Sequence, residues 1–349
     1  KLSRLVRGKS GGPYTYARAG FGDYVGFLVA WGYWIAVWVT MATLAIAIVS
    51  ALSVFFPVLN QEPWIAVSLG LGFVWFLTWI NSMGLRTSGK VQVLTTLLKI
   101  LPLAVIILGG FFFFNAENFI PFNASDKDPI SAVAITGTLT LYAFLGLESA
   151  TIPSEDIKQP EKTIPRATIL GTVITTVIYI LSTVAIMGLV PLETLAVSPA
   201  PFADAMKIMT GETGSLIVAG GIAIAAFGAL NGWILIQSQI AKVISMDGLF
   251  PKVFQRENRQ GVPVLGLIIG SLLCSVLMLM NYTEGLVSQY KFAVLLSTFC
   301  TLVPYLFAAA AYVGLSLEKR LTGLPRIRVY LLGGLAFAFS VWAIYGAEE

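Results

Sequence analysis

The sequence contains no histidine and only two cysteines among its 349 residues. The missing histidines exclude a histidine proton relay and a histidine-based metal site. Cys274 and Cys300 both lie inside apolar runs, where a disulfide has no evident role, and we interpret them as packing residues. The sequence therefore predicts neither a bound metal nor another cofactor.

Charge is also scarce, since 11% of the residues are charged, 57% are hydrophobic and the mean hydropathy is +0.83. These values are far from those of soluble domains. A bilayer core takes about 20 apolar residues per helix, so the uncharged runs predict nine membrane-spanning helices in an all-α membrane protein. The predicted spans are 24–55, 63–84, 90–114, 129–152, 167–190, 214–243, 263–280, 291–315 and 329–347.

The lysines and arginines are distributed unevenly between the predicted loops. Alternate loops hold 18 of the 22, whereas the intervening loops hold only Lys127, Lys207 and Lys291. Cytoplasmic loops carry the excess of positive charge, so the N-terminal end is predicted to be cytoplasmic. The excess of basic residues therefore reflects membrane topology. We expect the chain to contact a lipid bilayer rather than a nucleic acid.

Two charges remain deep inside apolar runs, namely Lys99 and Glu148. A charge at bilayer depth costs several kcal/mol and usually faces a partner, a cavity or a substrate path. Burial favours the neutral form of a lysine, so Lys99 is a candidate for proton exchange. The alternative for Lys99 is a fixed structural cation. Two such charges of opposite sign indicate a transport site.

The fourth predicted span carries Gly146 two residues before Glu148. Interrupted helices inside a membrane are tolerated where they line a cavity, and they mark substrate sites in secondary transporters. We therefore predict a helix break at Gly146, with a packing glycine as the alternative. Tyr33 and Trp233 also lie well inside spans, where they serve either packing or an aromatic box for a cationic substrate.

Several motifs keep their order along nearly the whole chain. They are GGPYTYARAGFG at 11–22, FLGLES at 144–149, EDIKQPEKTIPRA at 155–167, DGLFP at 247–251 and TLVPY at 301–305. Together they resemble the amino acid–polyamine–organocation (APC) superfamily of permeases. The likeness is closest to the basic amino-acid/polyamine antiporter branch, which includes arginine/agmatine antiporters.

The resemblance implies a twelve-helix carrier built as a five-plus-five inverted repeat. The nine spans would be helices three to eleven, so that residues 1–349 form a single integral membrane transporter domain truncated at both ends. Such a carrier has no enzymatic activity, lies in the plasma or inner membrane and works by alternating access. Its expected partners are an amino acid or amine, protons and a second copy of the chain.

The resemblance also assigns roles to residues. Substrate binding or gating falls to Tyr33, Ala36, Val37, Met41, Tyr142, Ala143, Leu145, Gly146, Glu148, Trp233, Ser297 and Tyr305. Proton coupling falls to Glu148 and Lys99, the latter resembling a lysine of proton-coupled permeases that replaces a sodium ion. Val37, Met41 and Tyr142 differ from the residues of arginine antiporters, which argues against arginine as substrate.

The functional hypothesis is a secondary amino-acid transporter that exchanges amino acids or amines. A proton-coupled amino-acid symporter that uses Lys99 is the main alternative. A retinal photoreceptor also pairs a membrane lysine with a carboxylate, but there the lysine lies on the last of seven helices. A membrane subunit or defective fragment that does not transport is a further alternative.

Overall fold

The computed structural model of the chain describes residue 2 and residues 13–84, 103–125, 127–146, 160–318 and 326–348. Helices account for most of these residues. Numbered in chain order, they are α1 (Pro13–Phe21), α2 (Asp23–Leu52), α3 (Val58–Gln61), α4 (Pro63–Ser82), α5 (Leu103–Phe113), α6 (Pro129–Leu141), α7 (Pro160–Leu189), α8 (Leu192–Val197), α9 (Pro201–Thr210), α10 (Glu212–Met246), α11 (Val264–Met280), α12 (Leu286–Glu318) and α13 (Arg326–Glu348). Short 3₁₀ turns cover Ala116–Phe119, Tyr142–Phe144 and Lys252–Gln255.

Within the described residues, six helices are long and apolar enough to cross a membrane: α2, α4, α7, α10, α12 and α13. Three shorter apolar helices, α5, α6 and α11, lie between them in sequence. The all-α membrane fold predicted from hydropathy is thus confirmed. The first part of the predicted third span, including Lys99, lies outside the described residues.

Several helices extend beyond the predicted spans. The helix α7 begins at Pro160 rather than at residue 167, and α12 covers Leu286–Glu318 rather than 291–315. Hydropathy marks only the apolar stretch of a helix, whereas backbone hydrogen bonding continues through the polar residues at its ends. In the fourth span the prediction is too long. It covers 129–152, whereas α6 ends at Leu141.

The helix α2 is at the centre of the bundle. In its most apolar stretch 72% of the residues are buried, against 17% in α7. It packs against α10 and α12 and also contacts α1, α4 and α11. A helix that is apolar on all sides is expected in such a central position. The exposed apolar side chains of α7 and α13 are those expected to face lipid.

Polar pairs join α4 to α11 and α10 in what we call the polar ladder. Its pairs are Trp75–Ser275 at 3.1 Å, Thr78–Ser271 at 2.6 Å and Asn81–Asn231 at 2.7 Å. Inside a bilayer, side-chain hydrogen bonds between helices take the place of the hydrophobic driving force found in water. The ladder therefore ties these three helices together.

The helices α10 and α11 approach closely at a glycine pair, Gly266 and Gly270. The buried Gln237 of α10 donates from Nε2 to the carbonyl oxygen of Gly266 at 3.0 Å. A Cβ atom on Gly270 would lie 2.0 Å from the same Nε2. Glycines spaced by four residues allow such close contact between membrane helices.

A charged network at one end of the bundle joins α1, α2 and α10. Arg18 pairs with Asp23 at 2.7 Å and with Asp247 at 3.5 Å, and the Tyr14 hydroxyl donates to Asp247 at 2.9 Å. Burial and the Asp247 carboxylate raise the pKa of the Tyr14 hydroxyl above its ordinary value. The hydrogen bond to Asp23 raises the pKa of Arg18. These interactions fix α1 against the ends of the two longer helices.

Candidate substrate site

The α-helix of the fourth predicted span ends near Gly146. After 13 helical residues, α6 gives way at Leu141 to a 3₁₀ turn over Tyr142–Phe144, and Leu145 is extended. Gly146 follows with φ at +98°. Thirteen residues span only about 20 Å, less than the thickness of the hydrocarbon core. The α-helix thus ends four residues before Gly146, and the rest of the predicted span, 147–152, lies outside the described residues.

The broken segment lies against Trp233 of α10. A Cβ atom built on Gly146 would stand 2.9 Å from Cζ2 of the indole and 3.4 Å from Cη2. Side chains other than glycine rarely adopt this positive φ, so both the backbone angle and the contact require glycine. The sequence-predicted residues Gly146 and Trp233 are thus brought together.

Hydroxyl groups from α2 and α12 meet beside this region. Thr40 Oγ1 and Ser297 Oγ lie 2.8 Å apart. Both hydroxyls also donate to the carbonyl oxygen of Ala36, at 2.9 Å from Thr40 and 3.0 Å from Ser297. The predicted residues Ala36 and Ser297 therefore form one buried contact, which Thr40 completes.

Tyr142, the first residue of the break, extends this contact. Its hydroxyl lies within hydrogen-bonding reach of the hydroxyls of Thr40 and Thr43. We call Thr40, Thr43, Tyr142 and Ser297 the hydroxyl cluster. Such groups donate and accept hydrogen bonds without carrying charge. The cluster therefore offers an uncharged polar lining at the point where the helix is broken.

Three predicted residues of α2 lie around Trp233. Tyr33 and Val37 are 1% exposed and belong to one buried cluster, and Met41 belongs to a second. Trp233 packs against both clusters. These three side chains are fully buried, so Trp233 connects the packed core around α2 to Gly146.

The remaining predicted residues are placed differently. Tyr305 lines a separate cavity of about 650 Å³ between α1, α7, α12 and α13. Its position eight residues after Ser297 puts it about 12 Å further along α12. Ala143 is exposed and Leu145 is half-buried. Glu148 and Lys99 lie outside the described residues, so their assigned roles stay predictions.

Sequence reasoning missed Thr40, Thr43 and Tyr290. Thr40 follows Ala36 by one helical turn, and Tyr290 precedes Ser297 by two turns, so each shares a helix face with a predicted residue. That periodicity could have identified both residues. The side-chain contacts themselves depend on how α2, α6 and α12 pack, which no local pattern specifies.

A second cavity, of about 370 Å³, lies at the opposite end of the bundle from Arg18. Its walls are α2, α10 and α12, and the segment Ser198–Phe202 covers it. Tyr290 also lines this cavity.

A bundle of helices that are long and apolar enough to cross a membrane defines the described part of the chain as a polytopic membrane protein. Comparison with known families makes the assignment specific. A family model described as "Amino acid permease" matches residues 1–346, and the chain belongs to this family.

Several relatives match most of the chain. The putrescine transporter PotE of Haemophilus influenzae is 30% identical over 343 residues, which are 98% of this chain and 78% of the relative. A putative arginine/ornithine antiporter of Bacillus subtilis is 30% identical over 95% of this chain and 77% of its own length. The cadaverine/lysine antiporter of Escherichia coli is 31% identical over 86% of this chain and 68% of its own length.

Proposed function

We propose that the protein is a secondary transporter of the plasma or inner membrane that exchanges aliphatic amines or amino acids by alternating access. The observation that carries this proposal is the helix break at Tyr142–Gly146, held against Trp233 and lined by the hydroxyl cluster. An interrupted helix frees backbone groups that can bind the charged ends of a substrate.

The names of the relatives narrow the substrate class. They name putrescine, arginine with ornithine, and cadaverine with lysine, all of which are aliphatic amines or amino acids that carry an amine. Val37 and Met41 are buried apolar residues near Trp233, and we propose that they contact the methylene groups of the cargo while hydroxyls of the cluster accept hydrogen bonds from its ammonium groups. We therefore propose a linear aliphatic amine as cargo, and arginine as a poor substrate.

Glu148 is proposed as the carboxylate that senses protons and pairs with the cargo. It follows Gly146 by two residues in the sequence. A carboxylate paired with a substrate ammonium is charged at neutral pH and loses that pairing when protonated. Replacement by glutamine should flatten the pH dependence of transport, whereas Glu117→Gln, in an exposed loop, should leave the profile unchanged.

Counterflow in proteoliposomes tests exchange. Vesicles loaded with unlabelled putrescine, ornithine or lysine should take up the labelled compound many times faster than empty vesicles. Uptake into empty vesicles that is driven by a pH gradient would instead establish the alternative, proton-coupled symport through Lys99. In that case Lys99→Ala would abolish the pH-driven uptake and Lys291→Ala, an exposed lysine of α12, would not.

A further inference from the structure

The helix α13 holds α6, the helix that leads into the proposed binding segment Tyr142–Gly146. Among the described elements, α6 packs most extensively against α13. The three buried residues of α6, Ser131, Ala134 and Thr138, follow one face of the helix. Tyr142 comes about one helical turn after Thr138. The position of Tyr142 therefore depends on how α6 is fixed to α13.

The hydroxyl of Thr138 joins the two helices. Thr138 is fully buried, and its Oγ1 lies 2.7 Å from the carbonyl oxygen of Ala343 in α13 and 3.0 Å from that of Ala134 in α6. The hydroxyl has one hydrogen to donate, and the shorter of the two contacts crosses between the helices. In an apolar region such a bond takes the place of the hydrophobic attraction that water would supply. The Thr138 hydroxyl therefore fixes the position of α6 along α13.

Two glycines let the helices approach closely near this bond. A Cβ atom on Gly346 of α13 would stand 2.5 Å from Oγ1 of Thr138 and would overlap the carbonyl oxygen of Ala134. A Cβ atom on Gly137 of α6 would stand 2.6 Å from Cη2 of Trp342 in α13. The contact has little free space, so a small displacement of α6 requires groups on both helices to move.

The helix α13 is itself packed on α12, which carries Ser297. Gly333 of α13 lies so close to α12 that a Cβ atom there would overlap the side chain of Val313. The helix α13 thus contacts both of the helices that bring Tyr142 and Ser297 to the hydroxyl cluster. A change in the fit of α6 on α13 changes the distance between these two residues.

We propose that Thr138 is a positioning residue for transport, which holds the segment Tyr142–Gly146 in place through its hydrogen bond to α13. Binding groups work only when the residues behind them hold them to within about 0.5 Å of the productive geometry. Loss of the bond lets α6 shift along α13 and moves Tyr142 away from the hydroxyls of α2. The proposal rests on the proposed function, because it concerns the same binding segment.

Three substitutions on α6 test the proposal. Thr138→Val keeps the branched shape but removes the hydroxyl, and it should raise the half-saturation concentration for putrescine or ornithine exchange at least about threefold, with a smaller change in the maximal rate. Thr138→Ser keeps the hydroxyl and should restore the parental value. Thr140→Val is the matched control, because the exposed Thr140 is nearer to Tyr142 in the sequence but bonds only to carbonyl oxygens of its own helix. It should exchange as the parent does.

A substitution on α13 displaces α6 without changing it. Gly346→Ala adds a methyl group that overlaps the Ala134 carbonyl, so α6 must move away from α13. The half-saturation concentration should again rise at least about threefold. Gly334→Ala, on an open face of α13, should leave it unchanged. Parental values in both Thr138→Val and Gly346→Ala would overturn the proposal.

Thermal unfolding and equilibrium binding of labelled ornithine to the purified protein complete the test. A lower Tm for Thr138→Val with parental binding and half-saturation would make the bond purely stabilising and overturn the positioning role. Equal rises in Thr138→Val and Thr140→Val would also overturn it, because only one of these hydroxyls reaches α13.

The positioning role and the transport function fail in different ways. Normal exchange by the parent, with Thr138→Val unaltered, would remove the positioning role and leave the transport function standing. Ornithine binding that weakens in Thr138→Val, without exchange by the parent, would support the positioning role and overturn the transport function. A parent that neither binds nor exchanges ornithine or putrescine would overturn both.

Discussion

The hydroxyl oxygens of Thr40 and Ser297 lie 2.8 Å apart, and each group also reaches the carbonyl oxygen of Ala36. The two hydroxyl groups have only two hydrogens for these three contacts, so one contact always lacks a hydrogen. Three arrangements of the two hydrogens are therefore possible at the junction of α2 and α12. A third group, the Tyr142 hydroxyl, interacts with Thr40 and can select between them.

Replacing Ser297 by alanine removes the hydrogen bond between the two helices. The free energy of unfolding should fall by about 0.6 kcal/mol, the average for such bonds between membrane helices, and by no more than about 1.7 kcal/mol. Reversible denaturation in mixed micelles would measure it. Ser340→Ala is the control, because the buried Ser340 hydroxyl bonds only within its own helix, to Ala336, and its loss should be smaller.

Replacing Gly146 by alanine should disturb this segment strongly, although the substitution adds only a methyl group. Alanine at the positive φ costs about 1–2 kcal/mol, and its Cβ would also press on Trp233. We expect the exchange rate of Gly146→Ala to fall at least about tenfold, because the binding segment is displaced. Gly72→Ala, in open helical surroundings on α4, should exchange at the parental rate. Normal exchange by Gly146→Ala would show that the break is not the binding segment.

The contact between Gln237 and Gly270 can be separated from the rest of the fold by a pair of substitutions. Gly270→Ala should lower the free energy of unfolding by about 1–3 kcal/mol, because its Cβ would overlap the Gln237 amide. Adding Gln237→Ala removes the overlapping atoms and should restore part of that loss. Gly334→Ala, on an open face of α13, should be neutral. If the double variant is no more stable than Gly270→Ala, the loss of stability does not come from overlap between the new Cβ and the Gln237 amide.

Asp128 caps the N-terminus of α6, and its carboxylate accepts from the amides of Ile130 and Ser131 at 3.0 and 3.3 Å. The hydrogen bonds from Ser131 lower its pKa in the folded protein. The stabilisation is thus present above the unfolded-state pKa of about 4 and is lost as pH falls through the lower folded-state value.

Asp128→Ala should therefore lower the Tm at pH 7, and the difference from the parent should shrink as pH falls below about 4. Thermal unfolding at several pH values would show this. Asp128→Asn keeps an oxygen acceptor without the titrating proton, so its Tm should fall less than that of the alanine variant. A difference between parent and alanine variant that is independent of pH would exclude the carboxylate as its source.

The order of the helices could be predicted from sequence because a bilayer imposes length and apolarity on every span. The interruption near Gly146 was also predictable, since glycine beside Glu148 is unusual in an apolar run. Its beginning at Tyr142 was not, because residues 142–145 are no weaker helix formers than residues 136–141, which hold a glycine and three threonines. The packing of Tyr142 with Thr40 and Thr43 belongs to the tertiary structure, which local composition does not encode.

The candidate site also combines residues that the sequence predicted with residues that it did not. Tyr33, Val37, Met41 and Trp233 were identified through resemblance, and the structure places the three α2 residues around the indole. Tyr305 was grouped with them but lies in a different cavity, because a helix continues for two further turns between it and Ser297. Tyr290 was missed because a tyrosine near a helix end is ordinarily interpreted as an interfacial anchor.

The polar ladder has a mechanical consequence. Its rungs at Trp75, Thr78 and Asn81 are spaced by three residues, so a slide of α4 by a single residue would break all of them at once. A movement that separates α4 from α11 or α10 must therefore break these hydrogen bonds, so the three helices are coupled mechanically. We expect crosslinks within the ladder to leave exchange intact.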